Sequence, residues 1–241
     1  MKEKGELAEQ VAVVSGGSGA IGRAIMDGLV LAGARALSLD LNDPGNMTPW
    51  VRCDIREDGS VAAAIESVFH KHGRIDLIVH AAGVSKDAVI WKMPVEEWDF
   101  VQAVNLRGAF LLLRHAIPVL RRGSGGRVVL IGSINGSRGK FGTSAYSASK
   151  AGLVGLAKSV AREVARFGIL INVIEPGWVR TPMTDAVPPE VKKAALAESL
   201  TGKFLEPSDI ATSVVFLCGP GGRQITGQIL RVDGGQFLGG I

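Results

Sequence analysis

Cysteine is scarce in this sequence. Cys53 and Cys218 are the only two, far apart and outside any ligand spacing, which excludes a disulfide framework or a Cys-based metal site as the organising principle. Both thiols read as small buried apolar residues. Long apolar runs are also missing. The first run, Val11-Ala12-Val13-Val14, follows a charged stretch and is far too short for a signal h-region or a spanning helix. No membrane partner is expected, and the cytoplasm is the default location. Nor is there a basic stripe. The formal net charge is +4 and the isoelectric point about 9.2, yet Lys and Arg are scattered among acids without interleaved aromatics, so no nucleic-acid partner is expected. The pairs Arg121-Arg122 and Lys192-Lys193 read as solvated helix ends or faces. Repeats and low-complexity tracts are absent as well.

What is present suits one compact α/β domain spanning 1–241, with no separate substrate domain. A chain of 241 residues, 46% apolar and 21% charged, buries a full core at ordinary globular composition. Short β-branched runs alternate with helical stretches, the pattern of βαβ units wound into a parallel sheet with helices on both faces, a Rossmann-type doubly wound fold. Strands are predicted at Gln10–Ser15, Ala36–Asp40, Trp50–Asp54, Leu77–Ala81, Arg127–Ser133, Leu170–Glu175 and Ile229–Val232. Helices are predicted at Ala20–Ala32, Ser60–His72, Val95–Leu120, Ser144–Phe167 and Pro207–Cys218. Between Asp40 and Trp50 lie nine residues rich in Asn, Asp, Pro and Gly, too few for a crossover helix, so a loop is expected. Gly123–Gly126 reads as an exposed turn. Thr181–Glu206, with three prolines and a weak helical pattern at Glu190–Ser199, reads as an excursion of the kind that covers sites.

Directly after the first strand stands Ser15-Gly16-Gly17-Ser18-Gly19-Ala20-Ile21-Gly22, followed by a helix. Glycines at a strand-to-helix turn let backbone N–H groups and the helix N-terminus approach a pyrophosphate without Cβ atoms in the way. Gly16, Ser18, Gly19, Ala20 and Ile21 are therefore candidate cofactor-binding residues. Asp40, at the end of the second strand, is placed to accept hydrogen bonds from the adenosine ribose hydroxyls. A carboxylate there repels a 2′-phosphate, and the positions open to a compensating base are Gly19 and Leu41, so NAD is expected over NADP. Asp54, with Ile55 after it, ends the third predicted strand. It reads either as an acceptor for the adenine amino group or as an ordinary turn acid.

Tyr146-Ser147-Ala148-Ser149-Lys150 lies in a helix-compatible stretch, which puts Tyr146 and Lys150 one turn apart on one face. A phenol of pKa about 10 is a poor base near neutrality. A nearby ammonium favours phenolate, and the positive ring of an oxidised nicotinamide adds to it. Ser133, at a strand end, offers a hydroxyl to the reacting oxygen. The pattern points to proton transfer coupled to hydride transfer between a nicotinamide and an alcohol or ketone.

The glycine turn, His80-Ala81-Ala82-Gly83, Asn105, Ser133, Tyr146-x-x-x-Lys150 and Pro176-Gly177, in this order, resemble the short-chain dehydrogenase/reductase family over essentially the whole chain. The resemblance implies that Asn105 holds a water linking Lys150 to solvent as a proton relay. It further implies that Pro176, Gly177, the Val179 backbone and the Thr181 hydroxyl bind the nicotinamide carboxamide, that Ala82 and Gly83 line the adenine ribose, and that the pro-S hydride is transferred. Two departures stand out. Ala20 replaces the second motif glycine, which bears on cofactor affinity. His80 and Ala81 replace two asparagines, and His80 reads as a hydrogen-bonded strand-end residue, not a catalytic one.

Substrate is less legible, because fold does not fix it. Ser85–Asp99, Phe141–Ala145 and Thr181–Glu206 are expected to line the pocket, with Trp98 packing a helix. The run from Val84 to Asn105 and the tail Ile225–Gly235 are most similar to 3-oxoacyl-[acyl-carrier-protein] reductases, which commonly use NADPH. Asp40 and the short loop after it point instead to NAD-linked dehydrogenases of dihydrodiols, polyols, sugars or other secondary alcohols. The leading expectation is an NAD(H)-dependent 3-oxoacyl thioester reductase, its thiol portion acyl carrier protein or coenzyme A, with Arg121, Arg122 and Arg166 available to an acidic carrier. A non-catalytic NAD-binding protein is disfavoured, since the full set of reactive residues is present. Surplus apolar residues on the helices Val95–Leu120 and Ser144–Phe167 suggest burial against another subunit, and the resemblance implies a homotetramer.

Overall fold

The computed structural model describes residues 5–43, 45, 48–185 and 187–239. Seven parallel strands form one sheet: β1 Val11–Ser15, β2 Arg35–Asp40, β3 Trp50–Arg52, β4 Leu77–His80, β5 Gly126–Ile131, β6 Ile169–Pro176 and β7 Ile229–Val232, in the order β3-β2-β1-β4-β5-β6-β7. This is the doubly wound α/β architecture that the sequence predicts. Continuous apolar runs are needed because both sheet faces are covered. In β1 the alternation is explicit, since Val11 and Val13 join one core cluster while Ala12 and Val14 join the other.

The first cluster is closed by α2 (Asp58–His72), by the long helical segment Val95–Leu120 and by α6 (Ser144–Val164). The second is closed by α1 (Ala20–Leu31) and α9 (Pro207–Cys218). Both cysteines, Cys53 and Cys218, are buried and free. Val95–Leu120 is long and apolar enough to span a bilayer, but it is a half-buried helix of the core.

The structure departs from expectation in local detail. The third strand stops at Arg52, so Asp54 belongs to the following turn. The single helix predicted over Val95–Leu120 divides into α3 (Val95–Gln102), a π turn at Ala103–Arg107 and α4 (Gly108–Leu120). A short helix that periodicity could not register, α5 (Ile134–Arg138), follows β5. The β2–β3 connection carries no helix among its described residues, as its length requires; Pro44, Asn46 and Met47 of that loop lie outside them. The excursion after β6 folds as α7 (Pro182–Asp185) and α8 (Pro189–Ala197), with Ala186 also outside the described residues.

Candidate active site

All seven strands are parallel, so their C-terminal ends share one edge of the sheet. The strand order reverses direction between β1 and β4, and in such sheets the crevice outside the carboxyl ends at that point receives the ligand. The glycine turn sits there. Gly16 adopts φ 73° and lies so close to Ala82 that a Cβ would come within 2.6 Å of its Cα. Only glycine meets both conditions without strain. The turn ends at Gly19, which caps α1 and brings no side chain to the helix N-terminus. Backbone N–H groups and the positive end of the helix dipole are thereby presented to an anion.

Asp40 lies beside this turn. Its Oδ2 accepts from the Ser18 backbone N–H at 3.1 Å and from the Ser18 hydroxyl at 2.5 Å, and its Oδ1 accepts from the Asn42 N–H at 3.4 Å. The carboxylate is thus oriented by the glycine turn itself. Register places Arg52 of β3 opposite Asp40, a neighbouring cation that the sequence reading missed because β3 and β2 are joined by an irregular loop. Asp54 is held differently. Arg56 donates to both its oxygens, Nε to Oδ1 at 2.9 Å and Nη2 to Oδ2 at 2.6 Å, and its backbone N–H adds a third bond at 3.0 Å. The Arg56 hydrogen bond holds the Asp54 carboxyl below the usual carboxylate range. Arg56 thus orients the Asp54 carboxylate within the turn, and Oδ2, which takes one of these donors, keeps acceptor capacity for a second. Ile55 is buried against Gly108, where a Cβ would stand 2.8 Å from its Cγ1.

The other end of the crevice carries the reactive side chains. Ser133 caps α5, its Oγ accepting from the Asn135 N–H at 3.2 Å. The helical spacing on α6 sets Tyr146, the only tyrosine in the chain, one turn ahead of Lys150. The Tyr146 hydroxyl is paired with Ser133. Lys150 is buried and donates from Nζ to the Ile131 carbonyl at 2.8 Å, with Nζ lying 5.7 Å from the centre of the Tyr146 ring. A Cβ on Gly83 would stand 3.2 Å from that ammonium, so the glycine after Ala82 leaves room for the lysine. Asn105 sits within the π turn. Its side chain accepts from the Val84 N–H at 2.8 Å and donates to the Val84 carbonyl and the Ser149 hydroxyl, each at 2.9 Å. Ser133 at the start of α5, Tyr146 and Lys150 on α6, and Asn105 in the π turn are therefore brought together from three separate segments.

The electrostatics qualify one expectation. Among the chain's own groups, burial dominates: desolvation pushes the Tyr146 phenol up, and the Ser133 hydrogen bond opposes it only in part. Desolvation also brings the Lys150 ammonium down to about 8. The lysine is itself short of solvation and directs a proton at a carbonyl, so it does not by itself turn Tyr146 into a phenolate.

Past β6, Gly177 donates its N–H to the Val232 carbonyl, and a Cβ there would meet Gln236 Oε1 at 2.8 Å. Val179 is buried; its carbonyl accepts from the Thr184 hydroxyl at 2.8 Å, and the Thr181 hydroxyl lies 3.2 Å from the same Thr184 oxygen. Thr181 and Val179 are thus linked through Thr184. Three further residues support this wall and carry no sequence signal. Buried Glu175 accepts from the Ser137 hydroxyl at 2.6 Å and from Arg231 Nε at 3.1 Å. Gln236 accepts from the Trp178 N–H at 2.8 Å and donates to Glu198 at 3.0 Å. Arg138 completes the group by donating to Glu198 Oε2 at 2.7 Å and to the Gln236 carbonyl at 3.1 Å. These contacts span 38 to 98 positions of sequence, beyond the reach of local pattern.

The crevice, the glycine turn and the Ser–Tyr–Lys–Asn arrangement define a nicotinamide-dependent oxidoreductase of the α/β class. Comparison with known proteins agrees. A family model described as Enoyl-(Acyl carrier protein) reductase matches residues 17–236. The 3-oxoacyl-[acyl-carrier-protein] reductase of Thermotoga maritima is 31% identical, covering 96% of this chain and 99% of that one. The acetoacetyl-CoA reductase of an Acinetobacter species is 33% identical, covering 95% and 98%. Among solved structures, the aldohexose dehydrogenase of Thermoplasma acidophilum superposes with a TM-score of 0.91 at 29% identity, covering 98% of this chain and 97% of that one. The chain belongs to the short-chain dehydrogenase/reductase family, which uses a nicotinamide cofactor, and it is most like the 3-oxoacyl-[acyl-carrier-protein] reductases.

Proposed function

We propose that this chain, acting as a single domain in the cytoplasm, is an NAD(H)-dependent reductase of 3-oxoacyl thioesters, carried on acyl carrier protein or coenzyme A. The observation that carries the reading is the geometry: Ser133, Tyr146, buried Lys150 and Asn105 are gathered at the end of the crevice that the glycine turn opens. With the phenol pushed up and the ammonium at about 8, both groups hold their protons together below pH 8. That is the state from which a proton is given to a carbonyl oxygen; the reverse reaction runs through the same residues from the phenolate. The family likeness to a 3-oxoacyl-[acyl-carrier-protein] reductase and an acetoacetyl-CoA reductase supports the substrate class.

The crevice fits a dinucleotide. Gly16, Ser18, Gly19, Ala20 and Ile21 would hold the pyrophosphate, Asp40 the adenosine ribose, Ala82 and Gly83 the wall beside it, and Pro176, Gly177, Val179 and Thr181 the nicotinamide end. When bound, the reduced ring supplies the hydride to the carbonyl carbon. Ser133 donates a hydrogen bond to the carbonyl oxygen as charge develops there, and Tyr146 gives that oxygen its proton. Lys150 returns a proton to Tyr146, and Asn105 connects Lys150 to solvent through a bound water.

Asp40 supports NAD, since its carboxylate beside the ribose opposes a 2′-phosphate. It also supports a second reading, an NAD-dependent dehydrogenase of a polyol, dihydrodiol, sugar or other secondary alcohol, in keeping with the likeness to an aldohexose dehydrogenase. Assembly as a homotetramer is supported by large apolar side chains left exposed on the segment Val95–Leu120, Val95 at 71% and Phe110 at 46%.

Four outcomes are expected. The purified protein should oxidise NADH with acetoacetyl-coenzyme A faster than it reduces NAD with diols or polyols, and Tyr146→Phe should cut turnover by about a hundredfold or more with NAD binding nearly unchanged; no turnover of any 3-oxoacyl thioester would remove the proposal. For carbonyl reduction kcat should be level below pH 8 and fall above it as Lys150 loses its proton, and a rate that climbs through pH 8 to 10 contradicts the assignment. Asp40→Ala should narrow the preference for NAD over NADP by roughly tenfold, or about 1.4 kcal/mol, because Arg52 is then the charged neighbour of a 2′-phosphate; an unchanged preference refutes the cofactor reading. Light scattering should return the mass of four chains, and a monomer would exclude the tetramer.

A further inference from the structure

His80 is a fully buried histidine at the end of β4, in register with Ser15 on β1 and Leu130 on β5. Its two ring nitrogens are both engaged. Nδ1 lies 2.8 Å from the Ser15 hydroxyl and Nε2 lies 3.2 Å from the backbone carbonyl of Asn105. A carbonyl only accepts, so Nε2 carries the hydrogen, Nδ1 is left as an acceptor, and the Ser15 hydroxyl donates to it. The ring therefore bridges the residue that opens the glycine turn and the centre of the π turn. A π turn shifts the helical ladder by one residue, so Gly108 bonds to the Ala103 carbonyl, and carbonyls within the turn are redirected. The Asn105 side chain is already committed to Val84 and Ser149. Its backbone carbonyl is thus the group through which Asn105 can serve the proton route, and His80 is the side chain that holds that carbonyl.

We infer that His80 is a positioning residue of the reaction: its Nε2–H fixes the Asn105 carbonyl on the proton route to Lys150, and its Nδ1 ties that carbonyl to Ser15 at the root of the cofactor turn. The surroundings keep the ring neutral. Around it β1 presents Ser15, β5 presents Leu130, the π turn presents a carbonyl, and the charged group facing it is the Lys150 ammonium on α6. Burial and that ammonium lower its pKa to about 3, so one tautomer persists across the working range. A ring that took up a second proton would have to reverse the Ser15 contact, the hydroxyl then accepting from Nδ1, and would place a second charge beside Lys150.

The inference rests on the Tyr146–Lys150 chemistry proposed above, and two readouts separate them. In the first, the ring is removed and partly restored. His80→Phe keeps the shape without either hydrogen bond; it should lower kcat for carbonyl reduction by about tenfold or more, displace the fall in rate near pH 8 and enlarge the solvent deuterium isotope effect, while the KM for NADH stays within about twofold. His80→Gln returns a donor near the Nε2 position and should recover most of the rate and the wild-type pH profile. A purely structural histidine would lower the melting temperature and leave the pH profile and isotope effect alone, and that result overturns the inference. In the second readout, nitrogen-15 NMR of the unmutated protein should find His80 as the Nε2–H tautomer with no titration between pH 5 and 9. An Nδ1–H tautomer, or a midpoint in that range, overturns it whether or not any substrate is turned over. Turnover that survives Tyr146→Phe would instead count against the proposed chemistry alone.

Discussion

The site depends on one costly feature, an ammonium group buried at the end of a parallel sheet. Lys150 is buried and points its charge at the Ile131 carbonyl. The drop from the ordinary 10.5 to about 8 corresponds to about 3 kcal/mol by which burial disfavours its charge. The surrounding structure has to sustain that cost. It does so with the Ile131 backbone carbonyl, not a carboxylate, and the choice has a chemical consequence. A carboxylate partner would lock the proton on the lysine. A carbonyl leaves the ammonium able to release it near neutrality, which a proton relay requires.

Geometry then links this charge to the cofactor crevice through very short backbone distances. Ala82 lies against Gly16 and Gly83 against Lys150, so two consecutive residues after β4 touch the glycine turn on one side and the buried ammonium on the other. His80, two positions earlier, contacts Ser15 and Asn105. The four residues from His80 to Gly83 thereby couple both halves of the site. The parallel topology makes this possible, because β1 and β4 are neighbours in the sheet though separated in sequence, and the order reverses between them.

Much of this was legible in the sequence, and the illegible part has a physical pattern. Apolar runs buried on two faces announced the strands, and the glycine turn, Asp40, Ser133, Tyr146 and Lys150 announced the crevice, since each is a local signal on a regular element. The π turn was hidden: Val95–Leu120 keeps one apolar helical pattern, and the extra residue at Ala103–Arg107 changes hydrogen bonding without changing composition. Helix α5 is too short for a period of 3.6 to appear. Asp54 illustrates a different limit. An acid after a strand reads equally as a ligand or a turn residue, and the Arg56 pairing two positions away is a side-chain contact that spacing does not announce. The shift at Tyr146 was misjudged for a similar reason, because attraction by a lysine can be inferred from spacing while the desolvation of both groups cannot.

The wall at the C-terminal end of β6 extends the same reasoning to the segment that follows it. Gln236 joins Trp178, beside the nicotinamide end, to Glu198 at the end of α8, and Arg138 on α5, which Ser133 caps, grips both Glu198 and the Gln236 backbone. The Arg138–Glu198 pair is partly shielded, and the Arg138 and Gln236 hydrogen bonds hold the Glu198 carboxyl below its ordinary range against the opposing effect of burial. The segment after β6 is held to the body by this ion pair and Gln236 together with backbone hydrogen bonds such as Thr201 N–H to the Gly234 carbonyl and Leu205 N–H to the Trp178 carbonyl. Arg138 therefore joins α5, the helix that Ser133 caps, to the end of α8 and to the Gln236 backbone.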